Sequence, residues 1–366
     1  QVTTCHSIHR YETHAILEEK MADGQLDDEQ VILAKAILTL RQSPLNGPAG
    51  PTWYRGTATC NPLMEGDVLN AALDRIGANR IVFGHTPTST RQVQQRMHGR
   101  IVEIDTGMLK ANYNGSGNAL IIDEDKVSVA NQNDPSALAP IAHPRGVGTD
   151  VEFIDDETLE NILTNGTIVG SDTDTALWKL VQVAAFDKTV FAYFSPLPPE
   201  KGFIPEIAAY RLDRMLGLYM VPVTVRREIA GQQGTLQYVP VATLNEIERV
   251  SAGKGGRAIC SMSKQAGAMY IYDTLINNSA RTPLSMLYGA EDFQLMLVDH
   301  GRSFSTNNDR PAYLGNTGLT IGREWRRALL EIDDKKLRKQ LEDVLDKKRL
   351  AALAGRRDAL IADSKH

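Results

Sequence analysis

Residues 181–241 interleave strand-like runs with one helical segment, and that arrangement limits the architecture more than any other feature. VQVAAF (181–186) and TVFAYFSP (189–196) are rich in β-branched and aromatic residues. EIAAYRLDRMLGL (206–218) has apolar residues at three- and four-residue spacing, the mark of an amphipathic helix. MVPVTVRREIAG (220–231) and TLQYVPV (235–241) then return to strand character. Strands in succession around a helix predict a mixed α+β fold.

The rest of the chain extends this reading. Residues 1–46 read mostly as helix, with Asp27-Asp28 placed to cap DDEQVILAKAILTLRQ. The turn-rich PLNGPAGPTW ends that region, and DVLNAALDRIGA forms a second amphipathic helix closed by Gly77. RIVFG, GRIVEID and NALIID follow as short strands. NQNDPSALAPIAHPRGVGTD, residues 131–150, has prolines, glycines and no sustained period, which predicts a linker. Beyond Gly255 the pattern is mainly helical apart from LMLVD, and the charged stretch 328–361 with its periodic Leu and Ala predicts a surface helix pair.

At 366 residues the chain has room for two domains. Its 42% hydrophobic and 23% charged residues suit a globular protein, and a formal charge of −5 offers no global attraction to nucleic acid or an anionic membrane. No apolar run approaches the ~20 residues of a membrane-spanning helix. The three cysteines (Cys5, Cys60, Cys260) are far apart in sequence and suggest neither a zinc cage nor a disulfide scaffold. A first residue of Gln1 is consistent with a removed leader or with a chain truncated at its amino end.

His85 directly follows the apolar run RIVFG, beside Gly84. Imidazole at the carboxyl end of a strand is a good ligand for Zn, Fe or Mn, and a glycine neighbour leaves room for a metal or phosphate. The alternative is a turn histidine bonded to backbone. WYRG (53–56), LDRIGANRIVFGHTP and GRIVEIDTGM together resemble the carboxyl-terminal half of calcineurin-like metallophosphatases. The resemblance covers roughly residues 47–125. It implies a partial αββα sandwich, a metal-binding role for His85 and phosphate binding by Arg55, against which stands a surface arginine stacked on Trp53. The upstream family motifs D-x-H, G-D-x-x-D-R-G and G-N-H-E are absent from the 366 residues, and His6, His9 and His14 match no motif. A two-metal site needs several converging ligands, so the chain alone is expected to be inactive as a phosphatase.

From about residue 166 the order of elements resembles atypical kinases, the Golgi casein-kinase type of secretory kinase above all. The likeness rests on ALWKLVQV, TVFAYFSP, EIAAYRLDRMLGLYMVPVTV and INNSARTPLSMLYGAEDFQLMLVDHGRSF. It implies a bilobal domain in which Glu206 corresponds to the helix glutamate and Asp299 to the metal-holding aspartate. Three matched positions are degenerate: Ser195 stands where the phosphate lysine is expected, Ala280 for the proton-accepting aspartate, and Ser285 for the metal-binding asparagine. Positioning and electrostatics supply nearly all phosphoryl-transfer catalysis, so this combination implies a pseudokinase. Lys179 and Lys188 are the lysines near enough in sequence to substitute for the missing one. Glu206 and Asp299 also have plain structural readings, a helix first-turn acid and a turn cap, while Asp273 and Arg281 read as loop anchors.

Together these features predict an α+β chain of three parts. Residues 1–130 would be the carboxyl-terminal portion of a phosphoesterase, 131–160 a linker, and 161–366 a kinase-like domain with a charged helical tail. The expected function of the full-length protein is metal-dependent phosphoester hydrolysis with a degenerate kinase-like regulatory domain. Its cofactor would be a divalent metal (Mn, Fe, Zn or Mg), with residual Mg-ATP binding in the kinase-like part. The expected partners are a phosphorylated small molecule or phosphoprotein, with no nucleic acid and no transmembrane segment. The alternatives are a non-enzymatic nucleotide- or protein-binding scaffold, or a kinase with displaced catalytic residues. The secreted relatives of the kinase-like part lean the compartment toward periplasmic or secreted.

Overall fold

The computed structural model of the chain describes residues 14–42, 54–124, 126–142, 146–147, 153–175, 178–197, 200, 202–240, 242–255, 260–290 and 292–364. Cys5, His6, His9 and Trp53 lie outside them. The chain divides into two compact units, Gln1–Arg55 and Gly56–His366.

The first unit holds helices α1 (His14–Ala22) and α2 (Asp28–Gln42). Leu17, Ala34 and Ile37 bury against Met21, Leu26 and Leu38. Asp27 caps α2 as its sequence suggests: its Oδ1 accepts from Gln30 N at 2.8 Å, and Gln30 Oε1 accepts from Asp27 N at 3.1 Å.

The second unit begins with α3 (Gly56–Thr59) and α4 (Pro62–Ile76). Asn61 caps α4, and Gly77 closes it at φ 65°, a left-handed conformation that suits glycine. Leu69 and Leu73 of α4 bury against a four-stranded sheet of order β1-β3-β2-β7. Its strands are β1 (Ile81–Phe83), β2 (Gln94–Arg96), β3 (Ile101–Glu103) and β7 (Ile141–Ala142). The short helix α5 (Lys110–Tyr113) and an antiparallel meander of β4 (Asn118–Asp123), β5 (Lys126–Asn131) and β6 (Asp134–Leu138) intervene, and β8 (Gly146–Val147) pairs with β9 (Ile154–Asp155). The aperiodic stretch 131–150 thus supplies strands to three sheets. Their short length hides any period-two pattern, because two to five residues hold too few alternations to read.

Helix α6 (Asp156–Asn165) leads into a five-stranded antiparallel sheet. It contains β10 (Thr167–Thr175), β11 (Trp178–Ala185), β12 (Lys188–Pro196), β13 (Thr224–Ile229) and β14 (Gln232–Val239), in the order β10-β11-β12-β14-β13. Val190, Ala192 and Phe194 alternate into the core, where they meet α6 and Ile207, Ala208 and Leu212 of α7 (Pro205–Leu216). A smaller antiparallel sheet of β15 (Thr243–Asn245), β16 (Met286–Gly289) and β17 (Leu295–Leu297) packs with α8 (Glu246–Ser251), and Gln265 of α9 (Met262–Ile276) accepts from Leu295 N at 2.6 Å.

The charged carboxyl-terminal stretch forms three helices: α10 (Arg323–Glu331), α11 (Asp334–Leu341) and α12 (Lys347–Ala362). They are more than a surface pair. Trp325, Leu329, Leu337, Leu341, Leu353 and Leu360 are all buried in the main core, beneath a charged outer face.

Candidate functional site

Helix α7 presents Glu206 in its first turn, after Pro205. The Glu206 carboxylate points at the segment Asp299-His300-Gly301, which follows β17. Its Oε1 accepts from the His300 backbone N–H at 2.8 Å, and His300 Nδ1 lies 3.3 Å from its Oε2. His300 is fully buried, edge-on to Tyr272. Asp299 adopts a left-handed φ of 59°. A Cβ on Gly301 would sit 3.8 Å from Asp299 Oδ1 and 4.0 Å from Glu206 Oε1, so two carboxylates flank this glycine. Burial, and then the negative charge of Glu206, push the Asp299 carboxyl above its ordinary value against the pull of His300 and Arg281.

The loop after α9 is held by a buried ion pair. Arg281 Nε donates to Asp273 Oδ2 and Nη2 to Asp273 Oδ1, both at 2.9 Å. Arg281 Nη1 also donates to the carbonyls of Ser285 at 3.0 Å and Val298 at 2.7 Å, and Tyr313 donates its hydroxyl to Asp273 at 2.6 Å. Burial works to lower the Arg281 pKa, but Asp273 overrides it and holds the guanidinium charged. The group therefore anchors the loop to the strand that delivers Asp299.

Ala280, Ser285 and Ser195 have these local surroundings. Ala280 has its N–H held by Asn278 Oδ1 at 3.1 Å. Ser285 is fully buried, and its hydroxyl accepts from Thr282 N and donates to Thr282 O, each at 3.0 Å. Ser195 sits on β12 opposite Thr235 of β14. Lys179 of β11 pairs with Phe194, so it shares the core-facing side of the sheet and not the side of Ser195. Lys188 lies at the other end of β12, opposite Ala185. On the Ser195 side, Tyr193 and Val239 pack with Leu287, Met296 and Val298, giving an apolar contact between the large sheet and the small one.

His85 follows β1 with a left-handed φ of 70° and is exposed. Asp105 lies beside the preceding Gly84, where an added Cβ would sit 3.8 Å from the Asp105 Cβ; Thr88 N donates to Asp105 O at 2.8 Å, and Asp105 Oδ1 accepts from Gly107 N at 3.0 Å. Arg55 closes the first unit, with its guanidinium donating to Tyr54 O at 3.2 Å, whereas His85 belongs to the second unit. Among the described residues no group of three or more His, Cys, Asp or Glu side chains is arranged to hold a metal ion, and no helix is long and apolar enough to cross a membrane.

The latch of Glu206 onto His300 was not legible in the sequence, nor was a buried polar group around Arg96. Arg96 donates to Cys60 O at 2.9 Å and Thr57 O at 3.1 Å, and approaches Glu103 at 3.6 Å. Burial pushes the Glu103 carboxyl up to about 7, although Arg96 opposes the shift. Glu103 occupies a position of β3 where neighbouring side chains are apolar; that anomaly is the one sequence signal for it.

No family model matches the chain. A protein of Schizosaccharomyces pombe, uncharacterized protein C1840.07c, is 39% identical over 79 residues, which are 21% of this chain and 22% of that protein. The chain thus spans about a fifth of that relative's length. Among solved structures, the Helicobacter pylori proinflammatory kinase CtkA matches 55% of this chain and 93% of its own, at 14% identity and a TM-score of 0.36. A likeness that distant does not bear on the site.

Proposed function

We propose that the region from about residue 161 is a kinase-type frame that does not transfer phosphate and serves as a regulatory or recruiting module. The observation that carries this reading is the bonding of Glu206. In a phosphoryl-transferring kinase this carboxylate would position a lysine on the nucleotide phosphates; here it is bonded to the His300 backbone N–H, while Ser195 occupies the lysine position. The fit to Mg-ATP is correspondingly poor. Asp299, the matched metal carboxylate, accepts a hydrogen bond from the Gly301 backbone N–H, and Ser285 spends its hydroxyl on Thr282. In the same proposal, phosphoester hydrolysis on a phosphorylated small molecule or phosphoprotein belongs to a longer protein whose further metal ligands join His85.

Incubation with labelled ATP, Mg²⁺ and a casein-type substrate tests the first part, with no incorporation above that of Asp299→Asn expected. Incorporation that Asp299→Asn abolishes would restore the kinase alternative. A longer protein carrying the upstream motifs is expected to hydrolyse p-nitrophenyl phosphate with Mn²⁺ and to lose that activity on His85→Ala. Retained activity in that variant would remove His85 from the site.

A further inference from the structure

Cys60 and Cys260, far apart in sequence, meet in the core of the second unit. Both are reduced and essentially without solvent exposure, at 1% and 0%. Their thiols share a hydrogen bond, and Cys260 Sγ also lies 3.7 Å from Met64 Sδ. Their backbones are pinned as well: Arg96 Nη2 donates to Cys60 O at 2.9 Å, and Gln265 Nε2 donates to Cys260 O at 2.8 Å. Cys60 immediately precedes the Asn61 cap of α4, and Cys260 the Ser261 cap of α9.

A lone buried cysteine behaves as an inert small hydrophobe. This pair differs because the thiols face one another beside cationic side chains. The Lys264 ammonium, bonded to Glu65 at 2.5 Å, and the Arg96 guanidinium both act on the Cys60 sulfur. The hydrogen bond from Cys260 and then these cations hold the Cys60 thiol below its ordinary value despite burial, while Cys260 is pushed up. The two sulfurs are thereby divided into an attacking and a resolving group.

We propose that Cys60 and Cys260 form a redox-reactive dithiol that a small hydroperoxide converts to a disulfide, stapling the amino end of α4 to that of α9. The Cys60 thiolate attacks the peroxide oxygen; the O–O bond breaks, leaving a sulfenic acid on Cys60 and releasing hydroxide, which takes up a proton as water. The Cys260 sulfur then attacks the Cys60 sulfur. The S–O bond breaks, the S–S bond forms, and the Cys260 proton leaves with the oxygen as a second water. Two electrons pass from the thiols to hydrogen peroxide, and a thiol reductant reverses the change. The staple would join the helix ahead of the His85-bearing sheet to the helix that carries Asp273 into the Arg281 loop. This proposal does not depend on the kinase-frame reading.

The test is peroxide titration of the whole chain, followed by denaturation, alkylation and non-reducing peptide mapping. The expected product links the Cys60 and Cys260 peptides, disappears on reduction with dithiothreitol, and forms equally in Cys5→Ser. That variant keeps both Cys60 and Cys260, so its result does not depend on either of them being substituted. In Cys60→Ser the surviving Cys260 thiol should alkylate fully after peroxide, whereas in Cys260→Ser the unresolved Cys60 sulfenic acid should be trapped by dimedone. Alkylation of both core thiols after peroxide treatment, oxidation to sulfinic acid without a cross-link, or linkage of either to Cys5 would each overturn the proposal.

Discussion

At the scale of single residues, buried charges are kept where a partner offsets the loss of water. Asp273 and Arg281 satisfy each other within one loop. Arg281→Ala would leave Asp273 charged and buried, and is expected to lower stability by about 3–5 kcal/mol in urea unfolding. Glu206→Ala removes the acceptor of the His300 N–H, with an expected loss of about 1–3 kcal/mol by the same measurement. Glu103 gives a pH signature. Its folded carboxyl titrates at about 7 against an ordinary 4.5, so the folded state keeps a proton that the unfolded chain has already released. That group's contribution is therefore fully favourable below the lower value, is lost as pH rises toward 7, and is constant above it. Glu103→Gln is expected to flatten this slope and to add about 2–3 kcal/mol at pH 8, read from unfolding curves across that range.

At the scale of elements, much of the architecture is carried by signals that need no distant partner. Asp27 caps α2, Gly77 closes α4 in a left-handed conformation, and β11 and β12 run where their apolar residues alternate. Gly77→Ala meets open space, so the backbone alone decides its effect. A loss of about 1 kcal/mol is expected from the strained φ, measurable as a small fall in Tm. Asn61 has a second task that no cap rule reveals: its Nδ2 donates to Gly217 O at 2.6 Å and Leu218 O at 2.9 Å, tying α4 to the end of α7. The strands at 134–138, 141–142 and 146–147 escaped the sequence reading because short strands take their identity from the partners they pair with.

At the scale of the molecule, the main core draws all its buried residues from Leu63 to Leu360. A chain beginning at Gly56 is therefore expected to unfold cooperatively and to keep its near-ultraviolet circular dichroism; a molten, non-cooperative transition would contradict that division. Sequence alone was enough to establish the α+β character and the helix ends at Asp27 and Gly77, since each depends on residue type and near-neighbour spacing. Tertiary structure alone decided that Glu206 bonds His300, that Lys179 faces away from the Ser195 side, that the charged tail inserts leucines into the core, and that Cys60 meets Cys260. Contacts between distant segments arise from how whole elements pack against one another, and local periodicity carries no record of that packing.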